Sequence, residues 1–575
     1  MADPDLASIA EARELAKRAK QAWLELAEFT QERIDGIVGA MAAAATSSAE
    51  AFARLAVEET GYGVVEDKIQ KNLFSSQKVY GFIRPMKTVG VVARYDDRRV
   101  IEIAEPFGVV AAIIPSTNPT STAIYKILIA LKARCAIVLS PHPSAVRCIT
   151  RVAEVMEDAA RRAGAPSGAI AWMATVTLEG TQELMKHRDV AVILATGGMG
   201  LVRAAYSAGK PAYGVGPGNA PAFVERTANV RKAVHDIIAG KTFDNGVLCS
   251  AENSVVVDEP IADAVKREFQ AQGGYFMNAA EMDAVGKMLV TPQRLPNPAL
   301  VGRSAIQIAG KCGVSVPENT TVLLAPLEGV GRDYPLSIEK LCPVLSHYVV
   351  RDWREGCERC KQILRYGGMG HTMSSIHSQN EQVILEFGLH KPAFRIVVNS
   401  PTTHGSVGLS TGLDPAMTLG CGGFGGNITS DNISPRHLLN IKRLAYEVAP
   451  VVSRWDRGAG DLQGAAASAV MPGAAPSRTL PQAPARELPQ PGIQADALAR
   501  QIDQFLDSRG FRSPVPDRSP SALQTRPMDF VSEEDVRLAI RAGRKLVVAE
   551  RAIITPAARD LGEQHQVFTV APWPG

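Results

Sequence analysis

Three apolar runs, separated by helix-like segments, constrain the fold of this 575-residue chain more than any other feature. GVVAAIIP (108–115), CAIVLSP (135–141) and VAVILATGG (190–198) have strand length, and helical patterns occupy 121–132 and 144–164. Strands that are apolar on both faces belong to parallel sheets covered by helices on both sides. The sequence therefore predicts an α/β fold with a doubly wound, nucleotide-binding type of domain.

Other patterns flank this core. Residues 1–85 carry apolar residues at helical spacing and are predicted to be helices. TVGVVARYDDRRVIEIAE (88–105) has two valine- and isoleucine-rich runs around a polar centre, which is typical of a β-hairpin. A second α/β stretch is expected over about 223–396, followed by the turn-rich GCGGFGGN at 420–427.

The composition changes near the C-terminus. Residues 457–492 are rich in proline, alanine and glycine, which predicts a semi-rigid disordered linker. A short helix is expected at 493–510, with Leu498, Ile502, Phe505 and Leu506 on one apolar side. A small segment at 511–575 completes a partly disordered C-terminal extension.

Charge and cysteine content exclude several classes of protein. The formal net charge of +3 gives no general electrostatic attraction to nucleic acid. The longest apolar runs have core-strand length, so we expect no membrane span. The eight cysteines lack paired spacing, which predicts free thiols and a cytoplasmic location. Cys357 and Cys360 form a CxxC within a charged helical pattern, which we interpret as a chance helix face, so no metal site is predicted.

One cysteine has a setting that suggests chemistry. Cys249 lies in KTFDNGVLCSAENSVVV (241–257), where small polar residues precede a valine-rich strand. It is either a small buried hydrophobic residue or a nucleophile. A nucleophile needs a donor for the oxyanion it creates, and the amide of Asn118 in IIPSTNPTS is a candidate. Taken alone, Asn118 could equally be an ordinary turn residue.

Seven stretches together resemble the aldehyde dehydrogenase superfamily, and specifically its coenzyme-A-acylating branch. They are IIPSTNPT, VLSPHPSA, LATGG, GVGPGNAP, KTFDNGVLCSAENSVVV, EKLCPVLS and MTLGCGGFGGN, in order over roughly residues 15–450. The branch includes propionaldehyde and acetaldehyde dehydrogenases of bacterial microcompartments, acylating sulfoacetaldehyde dehydrogenase, and the aldehyde half of bifunctional aldehyde–alcohol dehydrogenases. Which of these aldehydes would be the substrate is left open.

The resemblance implies a domain organisation. A Rossmann-like cofactor-binding domain would comprise 1–87 and 108–218, and an α/β catalytic domain 219–427. The hairpin, as residues 88–107 with 428–456, resembles the oligomerisation arm of the superfamily. A homodimer or homotetramer is therefore expected.

The resemblance also implies the catalytic roles. Cys249 would be the nucleophile, and Asn118 with the backbone N–H of Cys249 would form the oxyanion hole. Coenzyme A would be the co-substrate that accepts the acyl group. His371 in GGMGHTMSS is either a proton shuttle or a hydrogen-bonded structural histidine. No residue identifies itself as the activator of Cys249.

The resemblance implies cofactor-binding residues as well. Glu339 matches the acid that holds the nicotinamide ribose, the alternative being a solvated carboxylate at a helix end. Thr196, Gly197 and Gly198 match a turn near the pyrophosphate, which agrees with anion binding at helix N-termini. NAD is the expected cofactor, with NADP open.

Two departures from the hydrolytic branch are informative. Hydrolytic members have a glutamate that activates water, and Val215 in GVGPGN takes its place here. Hydrolytic members also have a lysine that meets the adenosine ribose, whereas here SPHP puts Ser140 at that position, followed by Pro141. Ser140 and Pro141 are assigned to the cofactor site on this alignment. A hydrolytic enzyme that forms the free acid is an alternative, and a catalytically silent shell scaffold is another.

The tail adds a hypothesis about location. Residues 530–565, which contain ITPAARD, resemble a segment of several microcompartment-associated proteins. The amphipathic helix at 493–510 resembles an encapsulation peptide that docks cargo on shell proteins, and burial of its apolar side on a partner would stabilise so short a helix. The alternative is that the tail folds back on its own enzyme or supports oligomerisation.

Overall fold

The structure is a computed structural model that describes residues 3–367, 373–451 and 528–570. The chain divides into two compact units, Met1–Ala466 and Ala467–Gly575. His371, the predicted linker at 457–492 and the predicted helix at 493–510 lie outside the described residues. Within the described ranges, no helix combines the length and the apolar character that crossing a membrane requires.

The strands described in the first unit form three sheets. They are β1 (Gly90–Tyr95), β2 (Val100–Pro106), β3 (Val109–Ile114), β4 (Ala136–Pro141), β5 (Ile170–Trp172), β6 (Val190–Thr196), β7 (Ala212–Val215), β8 (Ala220–Val224), β9 (Glu252–Asp258), β10 (Gly274–Phe276), β11 (Val322–Pro326), β12 (Val344–Val350), β13 (Met373–His377), β14 (Arg395–Val398) and β15 (Leu439–Ala445).

Helices connect and cover these strands. They are α1 (Pro4–Leu26), α2 (Gln31–Ser47), α3 (Ala49–Thr60), α4 (Val65–Leu73), α5 (Tyr80–Ile83), α6 (Pro119–Lys132), α7 (Val146–Arg162), α8 (Leu178–Lys186), α9 (Met199–Tyr206), α10 (Val230–Thr242), α11 (Ala262–Ala271), α12 (Ala279–Leu289), α13 (Ala305–Lys311), α14 (Trp353–Tyr366), α15 (Glu381–Leu389) and α16 (Thr402–Gly405).

The first sheet confirms the predicted doubly wound arrangement. Its five parallel strands have the order β5-β4-β3-β6-β7. Every residue of β3 and β4 is buried, and α6, which connects them, is buried along its whole length. Its two lysines, Lys126 and Lys132, are buried as well and donate hydrogen bonds to carbonyl oxygens of the surrounding chain.

The strand order creates a crevice. From β3 the chain proceeds through β4 and β5 on one side, and then returns to place β6 on the other side of β3. In parallel sheets, ligands bind outside the carboxyl ends of the strands where the order reverses. Asn118 follows β3 and Thr196 ends β6, so both lie at this point.

The second sheet has seven parallel strands in the order β10-β11-β12-β9-β8-β13-β14. The first of these strands in the chain, β8, begins close to the start of the predicted second α/β stretch. The valine-rich β9 lies at the centre of the sheet and is buried at every position. Residues 249 and 339 precede β9 and β12, so both lie at the amino edge of this sheet.

The predicted hairpin is present. β1 and β2 are antiparallel, and β2 also pairs antiparallel with β15 from the far end of the unit. Most side chains of β15 are exposed, with Leu444 at 49%, and Tyr446, which follows the strand, is 52% exposed. The role of this sheet in subunit assembly stays a prediction.

The second unit is a small βαβαβ fold within its described residues. It consists of β16 (Met528–Val531), α17 (Glu533–Arg541), β17 (Leu546–Ile554), α18 (Pro556–Gln564) and β18 (Phe568–Val570). The three strands are parallel, and Ser532 and Thr555 cap the two helices through their side chains. The ITPAARD motif thus comprises the end of β17, a helix cap and the first turn of α18.

Candidate active site

Cys249 lies in a tightly constrained loop between α10 and β9. Asp244 and Asn245 both have φ 51°, which is left-handed backbone that asparagine and aspartate tolerate better than other side chains. Gly246 follows with φ 74°, and a Cβ there would lie 2.9 Å from the carbonyl oxygen of Lys241. These three residues turn the chain so that the half-buried Cys249 precedes β9.

Asn118 lies at the first boundary of α6 and is buried. Its side chain does not cap the helix. Instead, its Oδ1 accepts a hydrogen bond from Nζ of Lys71 at 2.7 Å, and its Nδ2 donates to Oγ1 of Thr117 at 3.2 Å. One N–H of the amide is therefore left to donate to another group.

A buried charge cluster connects these two residues. The carboxylate of Asp244 accepts hydrogen bonds from Nζ of Lys68 at 2.9 Å, from Nζ of Lys71, and from the backbone N–H of Val64 at 2.7 Å. The backbone N–H of Asp244 donates to Asp67 at 2.7 Å. Helix α4, which carries Lys68 and Lys71, is thereby fixed against the loop that precedes Cys249.

The thiol of Cys249 has an unfavourable environment for ionisation. Burial raises its pKa to about 12, and the carboxylate of Glu339 acts in the same direction. The positive charge of Lys71 lowers this pKa. Burial lowers the pKa of Lys71 itself to about 8, although Asp244 opposes that change. Lys71 is thus a side chain whose charge favours the Cys249 thiolate.

Hydrogen bonds join the loops before three neighbouring strands. Gly218 precedes β8, Cys249 precedes β9 and Glu339 precedes β12. The backbone N–H of Gly218 donates to Oε1 of Glu339 at 3.1 Å, and burial raises the pKa of Glu339 to about 7. Asn253 holds the same loops, because its Oδ1 accepts from the backbone N–H of Lys340 at 2.8 Å.

The turn at Thr196, Gly197 and Gly198 is built to accept an anion. It leads into α9, whose first turn has neither a capping side chain nor an acidic residue. The positive end of a helix dipole and its free N–H groups attract negative charge. A Cβ on Gly197 would lie 2.7 Å from a methyl carbon of Leu201, so the backbone stays uncovered only with glycine. Nζ of Lys126 donates to Oγ1 of Thr196 at 3.0 Å. These residues fit the pyrophosphate of a dinucleotide.

Comparison with known proteins assigns the family. Residues 1–278 match the model of the aldehyde dehydrogenase family. The crystal structure of an acetylating aldehyde dehydrogenase from Geobacillus thermoglucosidasius is 49% identical with a TM-score of 0.77, covering 79% of this chain and 100% of that one. The succinate-semialdehyde dehydrogenase (acetylating) of Clostridium kluyveri is 37% identical over 434 residues, which is 76% of this chain and 95% of the relative. This chain belongs to the aldehyde dehydrogenase family. The resemblance to the acylating branch is thereby confirmed.

Two further relatives extend the comparison. This chain is 43% identical over 442 residues to the bifunctional aldehyde-alcohol dehydrogenase of Escherichia coli, covering 76% of this chain and 50% of the relative. It therefore spans about half the length of that curated relative. A propionaldehyde dehydrogenase from the fucose utilisation bacterial microcompartment of Clostridium phytofermentans is 28% identical, with a TM-score of 0.68 and coverage of 76% and 98%.

Ser140 and Pro141 end β4 of this aldehyde dehydrogenase, at the carboxyl edge of the first sheet. The hydroxyl of Ser140 is fully buried and lies 2.9 Å from Oγ1 of Thr181, which in turn donates to the backbone of Thr177. The Ser140 side chain is thus engaged within the fold.

Val215 ends β7 on the same edge and is 1% exposed. A side chain of this kind can neither accept a proton nor hold a water molecule for attack. The meaning of this position for the reaction stays a prediction.

The two cysteines of the CxxC motif are part of the hydrophobic core. Cys357 and Cys360 lie on α14 and are buried in an apolar cluster with residues such as Phe223 and Phe387. Among residues 3–367, 373–451 and 528–570, no three or more histidine, cysteine, aspartate or glutamate side chains are grouped so that they could hold a metal ion.

Sequence reasoning missed several charged residues around the thiol. Lys68 and Lys71 are spaced three apart on α4, which on a surface helix would describe an ordinary solvated face. Glu252, three residues after Cys249, is fully buried, with its pKa raised to about 7 by burial. It accepts hydrogen bonds from the backbone N–H of Thr402 and from Thr403. Only the burial of these groups distinguishes them, and burial is a tertiary property.

Substitution of Gly63 tests the support of the Cys249 loop. Gly63 has φ 77°, and a Cβ there would lie 1.8 Å from Oδ1 of Asp244. We expect Gly63→Ala to displace Asp244, to destabilise the protein by about 1–3 kcal/mol and to reduce turnover. Thermal denaturation and aldehyde oxidation would measure both effects.

The matched control is Gly36→Ala, an exposed position in α2 whose Cβ would meet nothing within 4 Å. Alanine is the better helix former by about 1 kcal/mol, so this variant should be at least as stable as the parent and fully active. Equal behaviour of the two variants would show that Asp244 does not support the loop.

Proposed function

We propose that this enzyme oxidises a short-chain aldehyde with NAD and coenzyme A, forming an acyl-CoA. The observation that carries the proposal is that one buried lysine, Lys71, donates a hydrogen bond to Asn118 and has a charge that acts on the Cys249 thiol. A thiol that has an amide donor beside it is suited to attack a carbonyl group and to stabilise the product.

In the first step, the Cys249 thiolate bonds to the carbonyl carbon, and the carbonyl oxygen takes up the electron pair as an oxyanion. The free N–H of Asn118 and the backbone N–H of Cys249 donate to that oxygen. The chemistry that a bound oxidised nicotinamide supplies is acceptance of the hydride that leaves the carbon. Thr196 to Gly198 would hold its pyrophosphate, and Glu339 its ribose.

In the second half, Cys249 carries an acyl thioester. The sulfur of coenzyme A bonds to the acyl carbon, the carbon–sulfur bond to Cys249 breaks, and the proton of the coenzyme A thiol is released. Thiols ionise far more readily than water, so they compete well where no base activates water. Val215 at the predicted position of the base supports transfer to coenzyme A over hydrolysis. The acetylating relatives support it as well.

The dependence on coenzyme A tests the acyl acceptor. Purified enzyme is mixed with propionaldehyde and NAD, with and without coenzyme A, and NADH is followed by absorbance. We expect sustained turnover only with coenzyme A, and without it at most one equivalent of NADH per active site. Equal turnover under both conditions would mean that water attacks the thioester, and no turnover on a panel of short aldehydes would favour a silent scaffold. NADP in place of NAD in the same assay decides the cofactor preference.

Removal of the amide donor tests the oxyanion hole. Asn118→Ala leaves only the backbone N–H of Cys249, and the loss of one such donor costs about 3 kcal/mol of transition-state stabilisation. We expect kcat to fall by roughly two to three orders of magnitude, with an unchanged circular dichroism spectrum. The control is Asn278→Ala, an exposed helix cap of α12 that is remote in sequence from the site loops, which should keep normal turnover. Parental kcat in Asn118→Ala would remove this residue from the mechanism.

We also propose that the enzyme is a homodimer or homotetramer assembled through the antiparallel sheet β1-β2-β15. Both outer strands of this sheet leave backbone groups unpaired within the described residues, and exposed apolar side chains such as Leu444, Tyr446 and Val448 accompany them. Unpaired edges and apolar patches favour pairing with another chain. Sedimentation velocity would show the assembly.

Finally, we propose that the tail directs the enzyme to the shell of a bacterial microcompartment. The similarity to a propionaldehyde dehydrogenase of such a compartment and the apolar side of the 493–510 sequence support this proposal. The described part of the second unit has its own small apolar core, which supports an independent role for it.

Two truncations test this targeting. Deletion of 457–575 should leave turnover intact and abolish co-sedimentation with shells, whereas deletion of 511–575 alone should preserve co-sedimentation if the 493–510 segment binds the shell. Loss of turnover in the longer deletion, or full shell association without residues 457–575, would contradict the proposal.

A further inference from the structure

We propose that Lys71 is a positioning residue that fixes the Asn118 amide and electrostatically favours the thiolate of Cys249. One buried ammonium would then prepare both the oxyanion donor and the nucleophile. The inference rests on the proposed function for its catalytic meaning and adds to it the activator that the sequence did not reveal.

The orientation of Asn118 follows from donor chemistry. An ammonium group can only donate, so the atom of the amide that faces Lys71 at 2.7 Å must be the oxygen. Rotation of the amide by half a turn would bring its NH2 group against the ammonium, with the loss of a buried hydrogen bond. Lys71 therefore holds the NH2 group on the far side, where its second N–H is available to an oxyanion.

The position of Lys71 is fixed in turn by Asp244. The side chain of Lys71 is 5% exposed and that of Asp244 is 0% exposed, so the pair is shielded from water. A charged hydrogen bond of this kind is strong and directional. Because Asp244 belongs to the same loop as Cys249, this ion pair joins the helix that holds the Asn118 amide to the loop that carries the thiol.

The charges around the thiol are mixed. Two ammonium groups, those of Lys68 and Lys71, share the single carboxylate of Asp244. Burial raises the pKa of the nearby carboxyl of Asp67. On the opposite side of Cys249, Glu339 disfavours the thiolate. Lys71 is thus the cation that counteracts both burial and Glu339 at the thiol.

Lys68 offers a matched control within the same helix. It is equally buried and donates to the same Asp244 carboxylate at 2.9 Å. Its other partner is the carbonyl oxygen of Thr117 at 3.4 Å, and it makes no hydrogen bond to Asn118. Loss of Lys68 therefore removes a buried cation from the cluster without removing the contact that the inference requires.

The experiment measures alkylation of Cys249 in the full-length enzyme without aldehyde or coenzyme A. Iodoacetamide is applied between about pH 7 and 10, and peptide mass spectrometry gives the rate at Cys249, because the thiolate is the reacting form. The variants are Lys71→Met, Lys71→Arg and Lys68→Met. Alkylation of the half-buried Cys312 in each sample reports whether the fold is retained.

For Lys71→Met, we expect alkylation of Cys249 about tenfold slower than in the parent near neutral pH, which corresponds to a rise of about one unit in the pKa of the thiol. The deficit should narrow above about pH 9, since the ammonium of Lys71 in the parent then loses its proton. Lys71→Arg retains the charge and should stay within about threefold of the parent at every pH. The alkylation rate of Lys68→Met should also stay within about threefold of the parent at every pH.

Three results would overturn the inference: an unchanged Cys249 profile in Lys71→Met, an equal slowing in Lys68→Met, or a loss that is independent of pH and accompanied by faster alkylation of Cys312. Turnover provides the second readout, with kcat in Lys71→Met expected to fall at least tenfold while the KM for the aldehyde changes little. Since alkylation needs neither substrate nor coenzyme A, failure of the proposed reaction would leave this result readable by itself.

Discussion

The active centre depends on one buried carboxylate. Asp244 accepts hydrogen bonds from two lysines of α4 and from the backbone after α3, and its own backbone N–H is held by Asp67. Removing charges from water is costly, and it is repaid only when the geometry is complete. Loss of Asp244 would leave two ammonium groups without their counter-ion in the interior. The arrangement therefore ties α4 to the loop that carries Cys249.

The two parallel sheets explain why the chemistry lies where it does. Strand order reverses at β3 in the five-stranded sheet, which opens a crevice at its carboxyl edge for a cofactor. The loops that enter β8, β9 and β12 of the seven-stranded sheet provide Gly218, Cys249 and Glu339 at its amino edge. The residues expected to hold the cofactor and the residues around the nucleophile therefore come from the ends of strands in two different sheets.

Much of this could be predicted from the sequence. The apolar runs that became β3, β4 and β6, the hairpin, and the roles suggested for Cys249 and Asn118 depend on local patterns or on aligned motifs. Lys71 could not be found in this way, because a lysine on an amphipathic helix is expected to be exposed to solvent unless the structure shows that it is buried. The environment of Ser140 was equally inaccessible, since its contact with Thr181 joins residues 41 positions apart.

The most direct measurement of the central claim is the mass of the intact enzyme after brief exposure to propionaldehyde and oxidised nicotinamide cofactor, without coenzyme A. The account predicts a single propionyl adduct on Cys249 that persists in buffer and is discharged as propionyl-CoA when coenzyme A is added. Absence of the adduct, or its equally rapid loss as free propionate in buffer, would contradict the account.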